Sequence, residues 1–435
     1  LIAPQAHLAG YTGDIFMFGK FISAGILACL AFPAVAEPVL ATPALRALVA
    51  GVQDNSPAIK AAQAAVEAAR ARAEASAQPL YNPSLTLEAA SGEVTSATVG
   101  LSQTLDWNDK RGAEQGVATA ALAAAVAEQA IVQRLLTGEL LEALVRFQTA
   151  REQHELARRR VQLMQQFAET AERRRLAGDI TRMEATVARL AQSDSQVQQA
   201  RANSTLIEVE TTLRTITGQA ATTWPELPAT LPPPPSNLDL EATLLRLPEV
   251  QLRLAQIQAA QARGRLATRS QRPDPTISLR GGKEGDSALI GVGVEIPLFV
   301  RRTLRAEEQA TGYDLAQTEQ LLDEARRRTR AQIEGTLARY RATEAAWRTW
   351  EIAGLPSLVE QIDLLQRLWE AGELSTADYL VQARQAVDAQ VQSVELLGDA
   401  RQAAIAWLQA SGQVERWLDL TNTSSLDMKN FGVQK

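Results

Sequence analysis

The stretch GLSQTLDWNDKRG, residues 100–112, decides how this chain folds. Its first half continues an alternation. Val99, Leu101 and Leu105 fall on one side, and Thr98, Gly100, Ser102 and Thr104 on the other. A period of two with an apolar and a small polar face predicts a strand. The second half, Asp106 to Gly112, breaks the alternation and leads through the basic pair Lys110-Arg111 into a long proline-free tract. The predicted unit is therefore a strand that hands over to a helix.

Working outward, the unit occurs twice. Gly293-Val294-Glu295-Ile296-Pro297-Leu298, followed by Arg301-Arg302, repeats it about 192 residues later. Upstream, Asn55-Ser56-Pro57 and Asn82-Pro83-Ser84-Leu85 have counterparts in Leu247-Pro248-Glu249 and Asp274-Pro275-Thr276-Ile277. Downstream, Leu176-Ala177-Gly178-Asp179-Ile180 matches Glu370-Ala371-Gly372-Glu373-Leu374 at an offset of 194, and Thr217-Gly218 matches Ser411-Gly412. Each half reads as helix, two short strands, long helix, turn, helix, and a doubled unit of this kind signals one repeated architecture.

The expected fold class is mainly α with a small β part. Hairpins are expected at 84–106 and 276–298, and tip turns at 176–180 and 370–374. Ser56 is expected to cap a helix that has Pro57 at its first position. The tract from about 110 to 175 predicts a helix roughly 100 Å long. Its counterpart, about 303–370, is interrupted only at Gly354-Leu355-Pro356. Leu136, Leu140, Leu144 and Phe147, and later Val391, Val394, Ile405 and Leu408, keep coiled-coil spacing. The expected divisions are 1–36, 37–218 (first repeat), a proline-rich linker at 219–240, 241–412 (second repeat) and 413–435.

The N-terminus reads as an export signal. Met17 and Lys20 precede an apolar run to Phe32, and Ala34-Val35-Ala36 forms an A-x-A site before Glu37. Residues 1–16 precede this natural start, and cleavage is expected after Ala36. Cys29, the sole cysteine, lies in the signal, where Ile26-Leu27-Ala28-Cys29 loosely resembles a lipoprotein box. No later segment has about 20 consecutive apolar residues, so no membrane-spanning helix is expected. Strands of this length and alternation fit a membrane barrel, and fit a half-buried soluble hairpin equally well. Two hairpins are too few to close an open barrel, so a barrel here needs several chains.

The composition excludes several functions. A net charge of −6 and a pI of about 5.4 lack the basic footprint of nucleic-acid binding. The arginine runs 158–160, 173–175 and 326–328 read as solvated helix faces. His7 and His154 are the only histidines, so no His-based acid/base site, no Cys/His metal site and no cofactor site is expected. One carboxylate pair stands out: Glu184 lies six residues after Gly178, and Asp378 six after Gly372. Around a pore they would form a cation-filtering ring. A first-turn acid is also favoured by the helix dipole alone.

With their order and doubling, these motifs over about residues 43–412 resemble the TolC-like outer-membrane factor family, in its heavy-metal branch of CzcC-like and CusC-like proteins. The resemblance implies a homotrimer whose chains each give four strands to a 12-stranded outer-membrane β-barrel, above a long periplasmic α-barrel. It implies a passive duct, with a periplasmic adaptor and an inner-membrane RND-type pump as partners. Leu176, Gly178, Asp179, Gly372, Glu373 and Leu374 would be the adaptor-docking tips. Asp378 matches a family gating carboxylate, whereas Val381 stands where some members have a second, and Glu184 follows from the repeat. Val99, Leu101, Ile290, Val292 and Val294 would face lipid, and Thr98, Ser102, Thr104 and Glu295 the lumen. Tyr81, Trp107 and Phe299 flank the strands as an aromatic belt or as ordinary packing. Metal cations are the substrate the resemblance favours, with drugs or other small molecules as the alternative. A soluble periplasmic coiled-coil scaffold is the reading from a different class.

Overall fold

The computed structural model describes residues 40–91, 95–219, 223–228, 231–234, 237–298 and 303–420. The signal segment with Cys29 and Ala36, Phe299, Arg301-Arg302 and the tail from Thr421 lie outside the described residues.

The first repeat opens with α1 (Pro43–Asn55) and α2 (Pro57–Ser76), followed by β1 (Ser84–Ala90) and β2 (Ser96–Thr104). It continues with α3 (Lys110–Ala177) and α4 (Arg182–Thr217). The second repeat has α5 (Leu240–Arg246), α6 (Pro248–Ser270), β3 (Thr276–Glu284) and β4 (Ser287–Glu295). It then runs through α7 (Thr303–Thr349), a π-helical turn (Trp350–Gly354), α8 (Leu355–Glu370) and α9 (Thr376–Ala410), and α10 (Val414–Trp417) is the last described element. The chain is mostly helical, with one small antiparallel sheet.

Proline sets both repeat entries. Pro57 and Pro248 occupy the first turn of α2 and α6, where a missing N–H leaves nothing unpaired. Ser56 stands at the cap position but makes no side-chain cap bond, because Pro57 already fixes the entry angle and Ser56 itself is buried. β2 ends at Thr104 and β4 at Glu295, short of the expected 106 and 298. Pro297 has no N–H for a ladder, and at the end of β2 the Leu105 amide still donates to the Pro275 carbonyl at 3.0 Å, but Pro275 has no N–H to return the bond.

α3 has 68 residues, about 100 Å at 1.5 Å per residue. One 18-residue window within it reaches a mean hydropathy of 1.3, long and apolar enough by length and composition to cross a membrane. The expectation of no membrane-spanning helix counted consecutive apolar residues, and averaging over the Ala-rich composition passes where an unbroken run does not.

The main core joins both repeats to the non-repeat segments. Leu45, Val49, Leu140, Leu144, Leu213, Ile405, Trp407 and Leu408 pack together with Trp224 and Leu227 of the linker and with Val414, Trp417 and Leu418. The linker therefore folds down onto the helices by burying its apolar side chains, beyond the stiff extended connection that its prolines predict.

Candidate functional site

The four strands form one sheet in the order β1-β2-β3-β4, antiparallel throughout. The central pairing, β2 to β3, joins the two repeats. Directly opposed residues share a face. Leu85↔Leu101, Leu87↔Val99, Leu101↔Leu279, Leu279↔Val292 and Gly281↔Ile290 therefore gather one apolar face, with Ile277↔Val294 beside them. Every large apolar side chain on this face is exposed, from Ile277 at 45% to Ile290 at 82%. The opposite face carries Thr98, Ser102, Thr104 and Glu295 among serines, threonines and glycines, with Glu88, Arg280, Glu284 and Leu289 as its other large side chains. Hydroxyl pairs Ser84–Ser102 and Thr104–Thr276, each 2.8 Å, run across it. The sheet thus separates all five residues read as lipid-facing from all four read as lumen-facing. Among the described residues β1 and β4 each have one strand neighbour only, so both outer edges keep a row of unpaired backbone groups.

Below the sheet lies a buried polar junction. Asp274, just before β3, accepts hydrogen bonds from the Tyr81 hydroxyl (2.9 Å) and the Asn108 amide (3.0 Å), and an ion pair from Lys110 Nζ (2.9 Å). Asn108 also donates to the Pro273 carbonyl at 3.1 Å. The Asp106 carboxylate accepts from the Lys110 and Arg111 amides, at 2.7 and 2.9 Å, and so caps α3. Three side chains of the first repeat thereby hold one carboxylate of the second. Burial alone would raise the Asp274 carboxyl. The Lys110, Asn108 and Tyr81 donors outweigh it and hold the group below its ordinary value. Burial, and then the bond to Asp274, push the Tyr81 phenol up to about 12. Tyr81 is therefore a junction residue, the packing alternative of the two that the sequence left open. Trp107 does stand free, 75% exposed.

The two tips are built alike. α3 ends at Gly178, whose φ of 86° is left-handed, and the Asp179 amide closes the turn on the Arg174 carbonyl at 2.9 Å. After α8 and its cap residue Ala371 comes Gly372 at φ 78°, and the Glu373 amide closes on the Leu368 carbonyl at 3.0 Å. Glycine suits both positions because a Cβ strains this backbone. Leu176, Gly178, Asp179, Gly372 and Glu373 are exposed, whereas Leu374 is half-buried against the tip core.

Glu184 and Asp378 occupy equivalent capping positions. The Glu184 amide donates to Thr181 Oγ1 (3.2 Å), and the Thr181 amide returns a bond to Glu184 Oε2 (2.7 Å), a reciprocal capping box. The backbone bond from Thr181, then its hydroxyl, lowers the Glu184 carboxyl. The Asp378 amide donates to Ser375 Oγ (3.1 Å), whose hydroxyl donates to Asp378 Oδ2 (2.7 Å). Both carboxylates have a local helix-starting role whatever else they do. Among the described residues no hydrogen bond or ion pair joins one to the other.

The two tips are tied together by contacts that the sequence did not announce. Phe167 lies 5.1 Å, centroid to centroid, from both Trp369 and Tyr379, and those two rings are 4.9 Å apart. Arg174 donates to the Trp369 carbonyl (3.2 Å) and lies 5.0 Å from its ring centroid. Arg160 reaches α4 and α9 through Asp194 and Asp388. These two arginines join helices, which corrects their reading as solvated faces. No local signal set them apart: each sits in a basic run on the long helix, and their partners lie on helices distant in sequence. Among the described residues no group of three or more His, Cys, Asp or Glu side chains is arranged to hold a metal ion.

Residues 48–219, most of the first repeat, match the outer membrane efflux protein family. No curated protein matches the sequence. Among solved structures, the chain is similar to CusC, whose structures concern folding and transmembrane channel formation. The TM-score is 0.73 at 16% identity, over 88% of this chain and 95% of that one. VceC, an outer membrane protein of Vibrio cholerae, gives 0.71 at 18% identity over 85% and 96%. The MtrE outer membrane channel of Neisseria gonorrhoeae, in its open state, gives 0.71 at 16% over 86% and 90%. The match of the first repeat is to the outer membrane efflux protein family, and the chain as a whole has the fold of solved outer-membrane channels.

Proposed function

We propose that this chain is one of three identical subunits of an outer-membrane efflux duct, which passively conducts substrate handed over by a periplasmic adaptor and an inner-membrane pump. The observation that carries the reading is the sheet. It has four strands, an exposed apolar face, a small polar face and two unpaired edges. In water such edges and such a face are liabilities. In a closed membrane barrel the edges pair and the apolar face meets lipid. Four strands cannot close around a lumen, and three copies give twelve.

In this reading Val99, Leu101, Ile290, Val292 and Val294 face lipid. Thr98, Ser102, Thr104 and Glu295 line the lumen. The turns at Gly178 and Gly372 dock the adaptor, and Glu184 and Asp378 add negative charge at the periplasmic entrance. Heavy-metal cations are the proposed cargo, supported by that acidic pair and by the motif resemblance read from the sequence. Energy comes from the pump, and the adaptor opens the tips by binding the open form in preference to the closed one.

The test is cross-linking of edges. Cysteines replace Leu87 on β1 and Val292 on β4, with Cys29 changed to Ser, and outer-membrane vesicles are oxidised. The reading predicts covalent dimers and trimers that stop at three. Monomers alone, extracted without detergent, would instead support a soluble scaffold, and ladders beyond three would contradict a closed ring.

A further inference from the structure

Arg160 of α3 lies between two carboxylates that the repeat makes equivalent. Its guanidinium is 3.7 Å from Asp194 of α4 and 3.9 Å from Asp388 of α9. The two aspartates are 194 residues apart, each 16 residues beyond its tip glycine. Arg384 Nε also approaches Asp388, at 3.9 Å. The Arg160 side chain is only 15% exposed, whereas Asp194 and Asp388 are 49% and 54% exposed. One largely covered cation therefore faces one half-exposed anion from each repeat, and so links α4 and α9 through α3.

The same count from the second tip leads elsewhere. Arg160 lies 18 residues before Gly178, and the residue 18 before Gly372 is Gly354. Where the first repeat carries an arginine on an unbroken helix, the second carries the end of the π-helical turn Trp350–Gly354. Pro356 causes it. Proline has no N–H for the Ile352 carbonyl, and its ring crowds that turn, so the Leu355 amide bonds back to Trp350 instead. A Cβ at Gly354 would overlap the Trp350 indole, and among the described residues the buried indole Nε1 has no hydrogen-bond partner. Turns of this kind interrupt the regular ladder of a helix and concentrate at functional sites.

We propose that these two features form a clasp and a hinge. The π turn lets α8 and the start of α9 move as a unit against the uninterrupted α3, and Arg160 locks that unit to the first repeat through Asp388 and Asp194. The consequence for conduction, that releasing the clasp frees the second tip, rests on the duct reading. The clasp itself does not. Because both aspartates are half-exposed, salt screens the pairs: the screening length falls from about 10 Å at 0.1 M to about 3 Å at 1 M.

Amide hydrogen exchange on the purified full-length protein in detergent tests this whether or not the protein conducts. In Arg160→Ala at 0.1 M NaCl, residues 355–385 exchange roughly three- to tenfold faster, as expected on losing two partly exposed pairs. Protection in 110–150 stays unchanged. The wild type at 1 M NaCl resembles the variant at 0.1 M, Arg160→Lys falls between, and Pro356→Ala reduces the effect by regularising the helix. The salt comparison needs no variant to fold. Exchange over 355–385 that ignores both salt and Arg160, or that rises equally throughout α3, would overturn the clasp. Loss of channel activity with the salt response intact would overturn the duct and leave the clasp standing.

Discussion

Lys110 Nζ sits 2.9 Å from Asp274 Oδ2, with the two side chains only 11% and 3% exposed. This pair joins the start of the first long helix to the entry of the second hairpin, across 164 positions of sequence. Asp274 also accepts from Tyr81 and Asn108, so the carboxylate is satisfied on every side. Removing one partner leaves a buried charge, which costs about 3–5 kcal/mol. Lys110→Met and Asp274→Leu should each destabilise by about 3 kcal/mol, and the double variant by less than the sum. Denaturant midpoints of the helical signal in detergent, taken as a double-mutant cycle, measure this. Full additivity would show that the two side chains do not act as a pair.

The same junction sets a pH window. The Asp274 carboxyl is lowered in the folded chain, so its contribution is present above the unfolded value of about 3.9. That contribution fades as pH falls through the lower folded value. The Tyr81 phenol is raised to about 12, so its contribution is present below the unfolded value of about 10 and fades as pH rises toward about 12. Tyr81→Phe should weaken the alkaline arm of the stability profile, leaving the part carried by Tyr340, whose phenol burial also pushes up to about 12, and should shrink the acid arm because Asp274 loses one of its donors. An alkaline arm unchanged in that variant would show that Tyr81 does not carry it.

Glu184 and Asp378 both cap and carry charge, and isosteric substitution separates the roles. Glu184→Gln with Asp378→Asn keeps oxygen acceptors for Thr181 and Ser375 while removing both charges. The pair should retain helix content and lose sensitivity of the pore current to divalent cations. Glu184→Ala with Asp378→Ala should lose the cap bonds as well and increase leak through the tips. Cation sensitivity unchanged in the isosteric pair would assign these residues to capping alone.

At the tips, Phe167 is almost fully buried between Trp369 and Tyr379. Phe167→Ala should destabilise the tip core by about 3–5 kcal/mol, visible as earlier protease cleavage near 176–180 and 370–374. Gly178→Val and Gly372→Val force a branched side chain into a left-handed backbone at about 1–2 kcal/mol each. They should weaken recovery of adaptor complexes while trimers still assemble. Normal recovery with both valines present would remove these turns from the docking site.

How much was legible in the sequence followed from range. The strands, long helices and tip glycines were readable because alternation, proline placement and left-handed turns are local. Glu184 and Asp378 were found for the same reason: both stand at fixed spacing after a glycine, and that spacing is also what a cap requires. The junction was not readable. Tyr81, Asn108, Lys110 and Asp274 meet only when β2 pairs with β3, and nothing near Tyr81 distinguishes a junction phenol from a membrane-interface one. Phe167, Trp369 and Tyr379 similarly meet only through the packing of α3 on α8 and α9. Arg160 looked like one more surface arginine in a run of three, and its two partners lie on helices folded back from opposite tips.

The central claim is a trimeric membrane duct with an acidic entrance. The most direct measurement is planar-bilayer conductance of the purified, detergent-extracted protein, with and without divalent cations. The account predicts discrete channels of low conductance that divalent cations block. A protein that remains soluble and gives no channels would contradict it.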